Sequence, residues 1–386
     1  MELIRKAMRK DLENDKTLMS KWATVAGLKN PNPLYDFLNH DGKTFNEFSS
    51  LVNIVKSQYS DREYEFMKDY CLHLDVKTKA ARSALEYADA NKFYEIEDQL
   101  ISLMVNCNNG KSKEYGKVYE VHRELNKGTI NEFEATKRLG RLNIKTPEMN
   151  NFSRISLLYH YLDTGNFTPM SRLIQQIELS EIVENQYIKN LYQTRVFVLM
   201  SNIKLNENEL LECRSYAKKA IESTNIQRFQ VFSYLTAGNS LLFTNYNDSK
   251  AYFIKGLAVS SGNVLYTKVF KQALCFLSNV WEKENEWVNF KSKEVIDLQE
   301  YAHMLINCNN KEAARTLLEK LESYEHNDNE LAMHYYLKGK LEDDKDLFYL
   351  SVEYFKKSND KFLIKLPLIM LKNMGENQRL LELLTL

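Results

Sequence analysis

Apolar residues recur at helical spacing along most of this chain. Leu3, Ile4, Ala7, Met8 and Leu12 form one stripe over Glu2 to about Glu13, the recurrence of an amphipathic helix. A second helix is expected from Leu18 to Ala26, stopping at Gly27, a residue suited to the left-handed conformation that follows a helix C-terminus. The next begins within Asn30-Pro31-Asn32-Pro33, with Asn32 as the cap and Pro33 at the first helical position, where its missing N–H costs nothing. It runs through Leu34, Tyr35, Phe37 and Leu38 to a break at Asp41-Gly42, and a fourth helix spans Phe45 to about Lys56.

A short helix, a Gly-containing turn and a second short helix make a helix-turn-helix arrangement. Ala23 and Val25 are expected to pack the first helix, and Leu34, Phe37 and Leu38 to anchor the second. The outward residues are then Lys29, Asn30, Asn32, Tyr35, Asp36 and Asn39. The same pattern also fits a plain helical cap on whatever follows.

From about residue 66 the pattern changes to helix pairs with a period of about 35 to 40 residues, as in tetratricopeptide-like repeats. Four units share a small anchor in the first helix and three small or apolar residues at matching distances in the second. They are Ser201 with Cys213, Ala217 and Ala220; Gly238 with Ser249, Phe253 and Gly256; Ala302 with Ala314, Leu318 and Leu321; and Gly339 with Ser351, Phe355 and Ser358. Hairpins with blurred anchors are expected over Ala80–Val105, Glu114–Leu142 and Pro147–Leu179, and a terminal pair over Asp360–Leu386. The expected fold is all-α: a helix-turn-helix domain (1–58), a right-handed superhelix of tetratricopeptide-like hairpins (59–359) and a C-terminal capping and dimerisation repeat (360–386). That last repeat is unusually apolar, with Leu380, Leu381, Leu383 and Leu384 at its end. A terminal repeat normally carries a polar outer face, so a second subunit is expected to cover it.

Composition supports helices and removes several function classes. Only 12 Gly and 5 Pro interrupt 386 residues, leaving few helix breakers. Lys plus Arg and Asp plus Glu both number 52, so nucleic-acid contact has to be local and not driven by a global field. Residues 1–58 carry nine basic and seven acidic side chains, the basic ones clustered at Arg5, Lys6, Arg9 and Lys10, where they are candidates for phosphate contact. Cys71, Cys107, Cys213, Cys275 and Cys308 never fall in CxxC spacing; neither a zinc site nor a disulfide framework follows, and buried, reduced thiols of a cytoplasmic protein are expected. No signal peptide and no membrane span are expected.

No catalytic signature emerges, and no cofactor or metal is expected. Gly110 to Lys117, GKSKEYGK, has the outline of a phosphate loop with the wrong spacing, and Val118 stands where Ser or Thr is required; it is read as a turn. Glu95, Glu97 and Asp98 are read as a solvated helix face. The informative set lies in the repeats, where the residue after each small anchor is expected to face a concave surface: Asn202, Asn239, His303 and Lys340. Asn206 follows Asn202 on the same face, Gln299 precedes His303, and Arg228 and Asn329 precede the two glycine anchors by the same interval. The position equivalent to those two before Ser201 is the apolar Leu191. A ladder of amides can pair with the main chain of an extended peptide whatever its sequence. Arg228 suits a peptide carboxylate, and Asp360 or Glu300 a peptide cation. Asn and Lys also serve as ordinary solvent-facing residues, and the residue types alone leave both readings open.

The stretches SKWATVAGLKNPNPLYDFLNHDGKTFNEFSSLVNIVK, AARSALEYADANKFYEIEDQL and HYYLKGKLEDDKDLFYLSVEYFKKSNDKF, and with them essentially the whole chain, resemble the AimR family, the arbitrium receptors of SPbeta-group Bacillus phages. The resemblance implies a homodimer whose helix-turn-helix domains bind phage operator DNA and activate a gene favouring lysis. It also implies that a phage-encoded peptide of about six residues, usually ending Arg-Gly-Ala, binds the repeat groove and withdraws that activation. Carried over, the family's peptide-gripping asparagines fall on Asn202, Asn206 and Asn239, and its charged contacts on Arg228 and Asp360. The candidate peptide-binding set is therefore Asn202, Asn206, Arg228, Asn239, Leu242, Gln299, Asn329 and Asp360. The candidate DNA-binding set is Lys29, Asn30, Asn32 and Tyr35, with Arg5 and Arg9. The repeats lack the tetratricopeptide Trp and Pro signposts in most units, which leaves their number open. Two rival functions remain: a repeat adaptor with no DNA target, and a Rap-like inhibitor of a protein partner, for which Gln58 is the nearby candidate amide.

Overall fold

The computed structural model describes residues 1–45 and 47–384. Among these, every regular element is helical and none is a strand. Asn46, inside the expected fourth helix, and Thr385 and Leu386, at the end of the expected terminal pair, lie outside the described residues. The described chain forms two compact units, residues 1–160 with 176–193, and residues 161–175 with those from Thr194 onward.

The first unit opens with α1 (Glu2–Asn14), α2 (Leu18–Val25), α3 (Asn32–Asn39) and α4 (Phe48–Gln58). Gly27 takes φ +69° after α2, the left-handed turn its missing Cβ allows. Three local expectations are corrected. Trp22, not Val25, packs α2, because Val25 sits on the outer side of that two-turn helix and is exposed. Asn32 is the first residue of α3 and not its cap; the Asn30 side chain accepts from the Asn32 N–H at 3.0 Å and makes the entry turn instead. The fourth helix starts at Phe48, and Phe45 precedes it as a buried loop residue 4.8 Å from the Phe37 ring. Leu34, Phe37 and Leu38 are buried as expected.

α1 and α4 pack on α5 (Glu63–Leu72), and α4 also on α6 (Lys79–Asn91). The hairpins continue with α7 (Tyr94–Val105), α8 (Gly110–Asn126) and α9 (Glu132–Arg141), then α10 (Pro147–Asp163), while α11 (Phe167–Leu173) belongs to the second unit. The GKSKEYGK stretch is not a turn: Asn109 caps it by accepting from the Ser112 N–H, and it forms the first turns of α8. Gly116 there approaches the Met104–Val105 backbone so closely that a Cβ would lie 2.7 Å from Val105 N. His122 bridges Asp89 (3.2 Å) and Ser156 (2.8 Å), a buried chain tying α6, α8 and α10 together. Glu95 and Asp98 are solvated, but Glu97 is not: it is buried, and burial followed by the Asp89 charge pushes its carboxyl up to about 8.

α12 (Gln186–Asn206) leads into the second unit, which holds α13 (Leu210–Ser223), α14 (Gln227–Asn239), α15 (Tyr246–Val259), α16 (Val264–Val280), α17 (Val295–Asn307), α18 (Lys311–Leu321), α19 (Asp328–Glu342), α20 (Lys345–Lys357), α21 (Lys365–Asn373) and α22 (Gln378–Leu384). The small anchors serve close helix approach. A Cβ on Gly238 would lie 2.2 Å from the Phe253 ring, and one on Gly339 2.8 Å from Phe348. α16, which no anchor pattern marks, stands between two hairpins and is followed by a long connection, Trp281–Glu294. Cys71, Cys213 and Cys275 are buried, whereas Cys107 is half-buried and Cys308 exposed, so the expectation of uniformly buried thiols fails for those two. Among the described residues no helix is long and apolar enough to cross a membrane.

Candidate peptide groove and DNA-reading helix

In the first unit, Lys29, Asn30, Asn32 and Tyr35 lie together at the start of α3, all exposed. Their exposure follows from the anchoring of the opposite face by Leu34, Phe37 and Leu38. Arg5 is buried and does not join them as an exposed phosphate contact, whereas Arg9 is exposed with its guanidinium engaged by the chain itself. The Arg5 guanidinium is buried over the Phe37 ring (4.8 Å), donates to the Lys43 carbonyl at 2.6 Å and pairs with Asp41 at 3.6 Å. Arg9 donates through Nε to the Leu38 carbonyl at 2.9 Å, and its Nη2 binds the same oxygen. Both arginines therefore satisfy carbonyls at and beyond the C-terminus of α3, where orphan acceptors and the helix dipole favour a cation.

In the second unit, residues distant in sequence meet at the turn between α20 and α21. Asn206, the last residue of α12, donates from its amide to the Asn359 carbonyl at 2.9 Å. Asn329, at the start of α19, accepts from the Ser358 hydroxyl at 2.6 Å. Asp360 accepts from the N–H groups of Phe362 (3.0 Å) and Leu363 (2.7 Å), and its burial raises its pKa against these bonds. Asn359 supports the turn with a left-handed backbone, φ +57°.

Nearby, Asn202 is half-buried, donates to Val198 O one turn earlier (2.9 Å) and accepts from Thr236 of α14 (3.4 Å). Asn239, one turn beyond Thr236, is half-buried and makes no side-chain hydrogen bond within the described chain. Arg228 enters α14 with its guanidinium 5.9 Å from the Phe229 ring; the buried Arg195 reaches the same ring at 5.2 Å. Two guanidiniums therefore lie beside one aromatic ring. Sequence reasoning missed Arg195, because nothing in its spacing marks a buried cation.

Four groups expected to face the groove are turned inward. His303 is fully buried against Tyr336, since its position on α17 faces α19; burial and the Lys340 charge hold its imidazole well below the ordinary range. Gln299 is buried and donates to the Glu330 carbonyl at 2.7 Å, and Glu300 is buried with Asn279 donating to it at 2.7 Å. Leu242 lies within an apolar cluster with Val231, Phe253 and Phe270. Its carbonyl accepts from Trp281 Nε1 at 2.6 Å, which fixes the α14–α15 turn. Lys340 is half-buried, with its ammonium near Asn307 (3.0 Å) and Glu282 (3.3 Å).

A family model described as AimR transcriptional regulator-like matches residues 63–373. This chain belongs to that family. It is 73% identical over 386 residues, all of both chains, to the AimR transcriptional regulator of Bacillus phage SPbeta. It is 39% identical over 379 residues, 98% of this chain and 100% of the relative, to the AimR transcriptional regulator of Bacillus phage phi3T. The solved selenomethionine form of phAimR superimposes with a TM-score of 0.89 at 39% identity, covering 99% of this chain and 100% of that one. A structure of phAimR with a ligand gives 0.76 at 40% identity, covering 87% of this chain and 100% of that one. As an AimR-family member the chain is a transcription regulator and not an enzyme.

Proposed function

We propose that this AimR-family regulator is a DNA-binding activator, homodimeric and controlled by a short signalling peptide, that sets the choice between phage lysis and lysogeny. Residues 1–58 read the operator through the start of α3, with Asn side chains available for adenine edges in the major groove. The hairpins to residue 359 receive a peptide of about six residues ending Arg-Gly-Ala, which withdraws activation. Residues 360–386 cap the repeats and pair with a second subunit.

One observation carries the peptide reading: Asn206, Asn329 and Asp360, from three separate stretches of the second unit, gather at the α20–α21 turn. The half-buried Asn202 and Asn239 offer main-chain partners in the same unit, and Arg228 at the start of α14 offers a cation for a carboxylate. An extended hexapeptide spans roughly 20 Å, enough to touch several helices at once. The solved phAimR structure with a ligand supports a family that binds one.

Calorimetry of synthetic hexapeptides ending Arg-Gly-Ala against Asn202→Ala, Asn239→Ala and Arg228→Ala tests this. Each substitution is expected to weaken binding about five- to 150-fold, the loss of one partner in a partly desolvated groove. Parental affinity in all three would remove the groove from peptide recognition.

A further inference from the structure

The α20–α21 turn is clamped by residues outside the candidate peptide set. The Phe362 ring is buried in the apolar cluster of Leu242, Val231, Phe253 and Phe270, with its centroid 5.2 Å from that of Phe243. Lys365 spans the same region: its ammonium lies 5.4 Å from the Phe362 ring and 5.9 Å from the Phe243 ring, and it donates to the Asn208 side chain just past α12. Asn208 holds a left-handed backbone, φ +63°, which Asn tolerates better than most residues. The turn is thus pinned to the end of α12 through Lys365 and to the α14–α15 connection through Phe362.

These pins act on Asp360 through the main chain. The carboxylate of Asp360 accepts the N–H of Phe362, so the seat of the Phe362 ring fixes the amide that orients the carboxylate. The neighbouring Leu363 N–H adds a second bond to the same oxygen. A turn released from α12 and α14 keeps its local bonds but carries Asp360 away from Asn206.

We infer that Phe362, Lys365 and Asn208 are positioning residues for the peptide site, locking the α20–α21 turn so that Asp360 stands where a cationic group of the peptide meets it. This rests on the peptide reading above. None of the three needs to touch the peptide. Their effect is transmitted through one carboxylate, and losing them lowers the fraction of molecules in the binding-competent arrangement.

A double-mutant cycle on the full-length protein tests the inference, with synthetic hexapeptides ending Arg-Gly-Ala as the probe and melting temperature recorded for each variant. Lys365→Ala and Asn208→Gly, the latter keeping the left-handed backbone while deleting the amide, are each expected to weaken binding about five- to 20-fold. Lys365→Arg is expected to restore most of the affinity. In an Asp360→Asn background, Lys365→Ala is expected to cost nothing further, a non-additivity that mere loss of stability does not produce. Additive losses, or parental affinity in Lys365→Ala and Asn208→Gly while Asp360→Asn is weakened, would overturn the positioning role alone. Parental affinity in Asp360→Asn itself would instead remove Asp360 from the peptide site, and the inference with it.

Discussion

Asn206 donates to the main-chain carbonyl of Asn359 at 2.9 Å, joining two residues 153 positions apart. Within the second unit this contact brings the end of α12 to the turn after α20, so the first and last hairpins of that unit share one locus. It also separates two asparagines that look equivalent in the sequence. Asn206 already has a structural partner, whereas Asn239 has none within the described chain. Asn206→Ala is therefore expected to lower stability by about 1 kcal/mol, because a part-buried carbonyl loses its donor. Asn239→Ala is expected to leave the melting temperature within error while weakening peptide binding. Thermal melts paired with calorimetry on the two variants check this, and equal destabilisation by both would contradict it.

At the N-terminus the exposed start of α3 and the arginines that bond carbonyls at and beyond its end carry separate expectations. Replacing Asn30, Asn32 and Tyr35 together by Ala is expected to abolish most specific operator affinity and to spare peptide binding. Arg9→Ala is expected to lower the melting temperature, because the Leu38 carbonyl at the end of α3 loses its cation. Operator binding by the refolded Arg9 variant at low temperature should stay near parental. A salt slope reduced by about one relative to the parent would instead return Arg9 to the phosphate contacts.

Much of this was legible in the sequence. The alternation of small anchors and apolar residues marked the hairpins around Ser201, Gly238, Ala302 and Gly339, because close helix approach leaves little choice of residue there. Short helices with Gly at the turn were equally visible. Side-chain direction was not: Arg5 and Arg9 look like a basic patch until their distance to Leu38 and Lys43 is known, and His303 differs from Asn239 only in what α19 lays over it. The α20–α21 clamp was also invisible, because Lys365 meets Asn208 through a fold that brings together residues 157 positions apart.

Glu300 gives the second unit a pH signature. Burial pushes its carboxyl up to about 8 from an ordinary value of 4.5, opposed by the Asn279 hydrogen bond. The folded state therefore holds a proton that the unfolded chain has released, so the stability this adds is complete below pH 4.5 and is lost as pH rises through about 8. Glu300→Gln, which imitates the protonated form, is expected to lose less melting temperature than the parent between about pH 6 and pH 8.5. Parallel pH–melting curves for the two proteins would show that Glu300 titrates as an ordinary carboxylate.

The C-terminal pair presents an apolar face. Leu381 is buried, but Ile369, Leu380 and Leu383 are exposed. Burying such side chains is favourable by roughly 1.5 to 3 kcal/mol each when complete. Deleting residues 376–386 is expected to convert a dimer to monomers in sedimentation velocity and to weaken binding to an operator with two half-sites. A truncated protein that still sediments as a dimer would move the interface elsewhere.

Titration of labelled phage operator DNA at fixed salt, with and without hexapeptides ending Arg-Gly-Ala, reads the proposed DNA-reading helix and the proposed peptide groove in one experiment. Specific operator binding is expected to be at least about a thousandfold tighter than binding to unrelated DNA. A cognate peptide is expected to abolish this binding in the parent but not in Asn239→Ala. Operator binding that no such peptide alters, in parent and variant alike, would contradict peptide control of DNA binding by this chain.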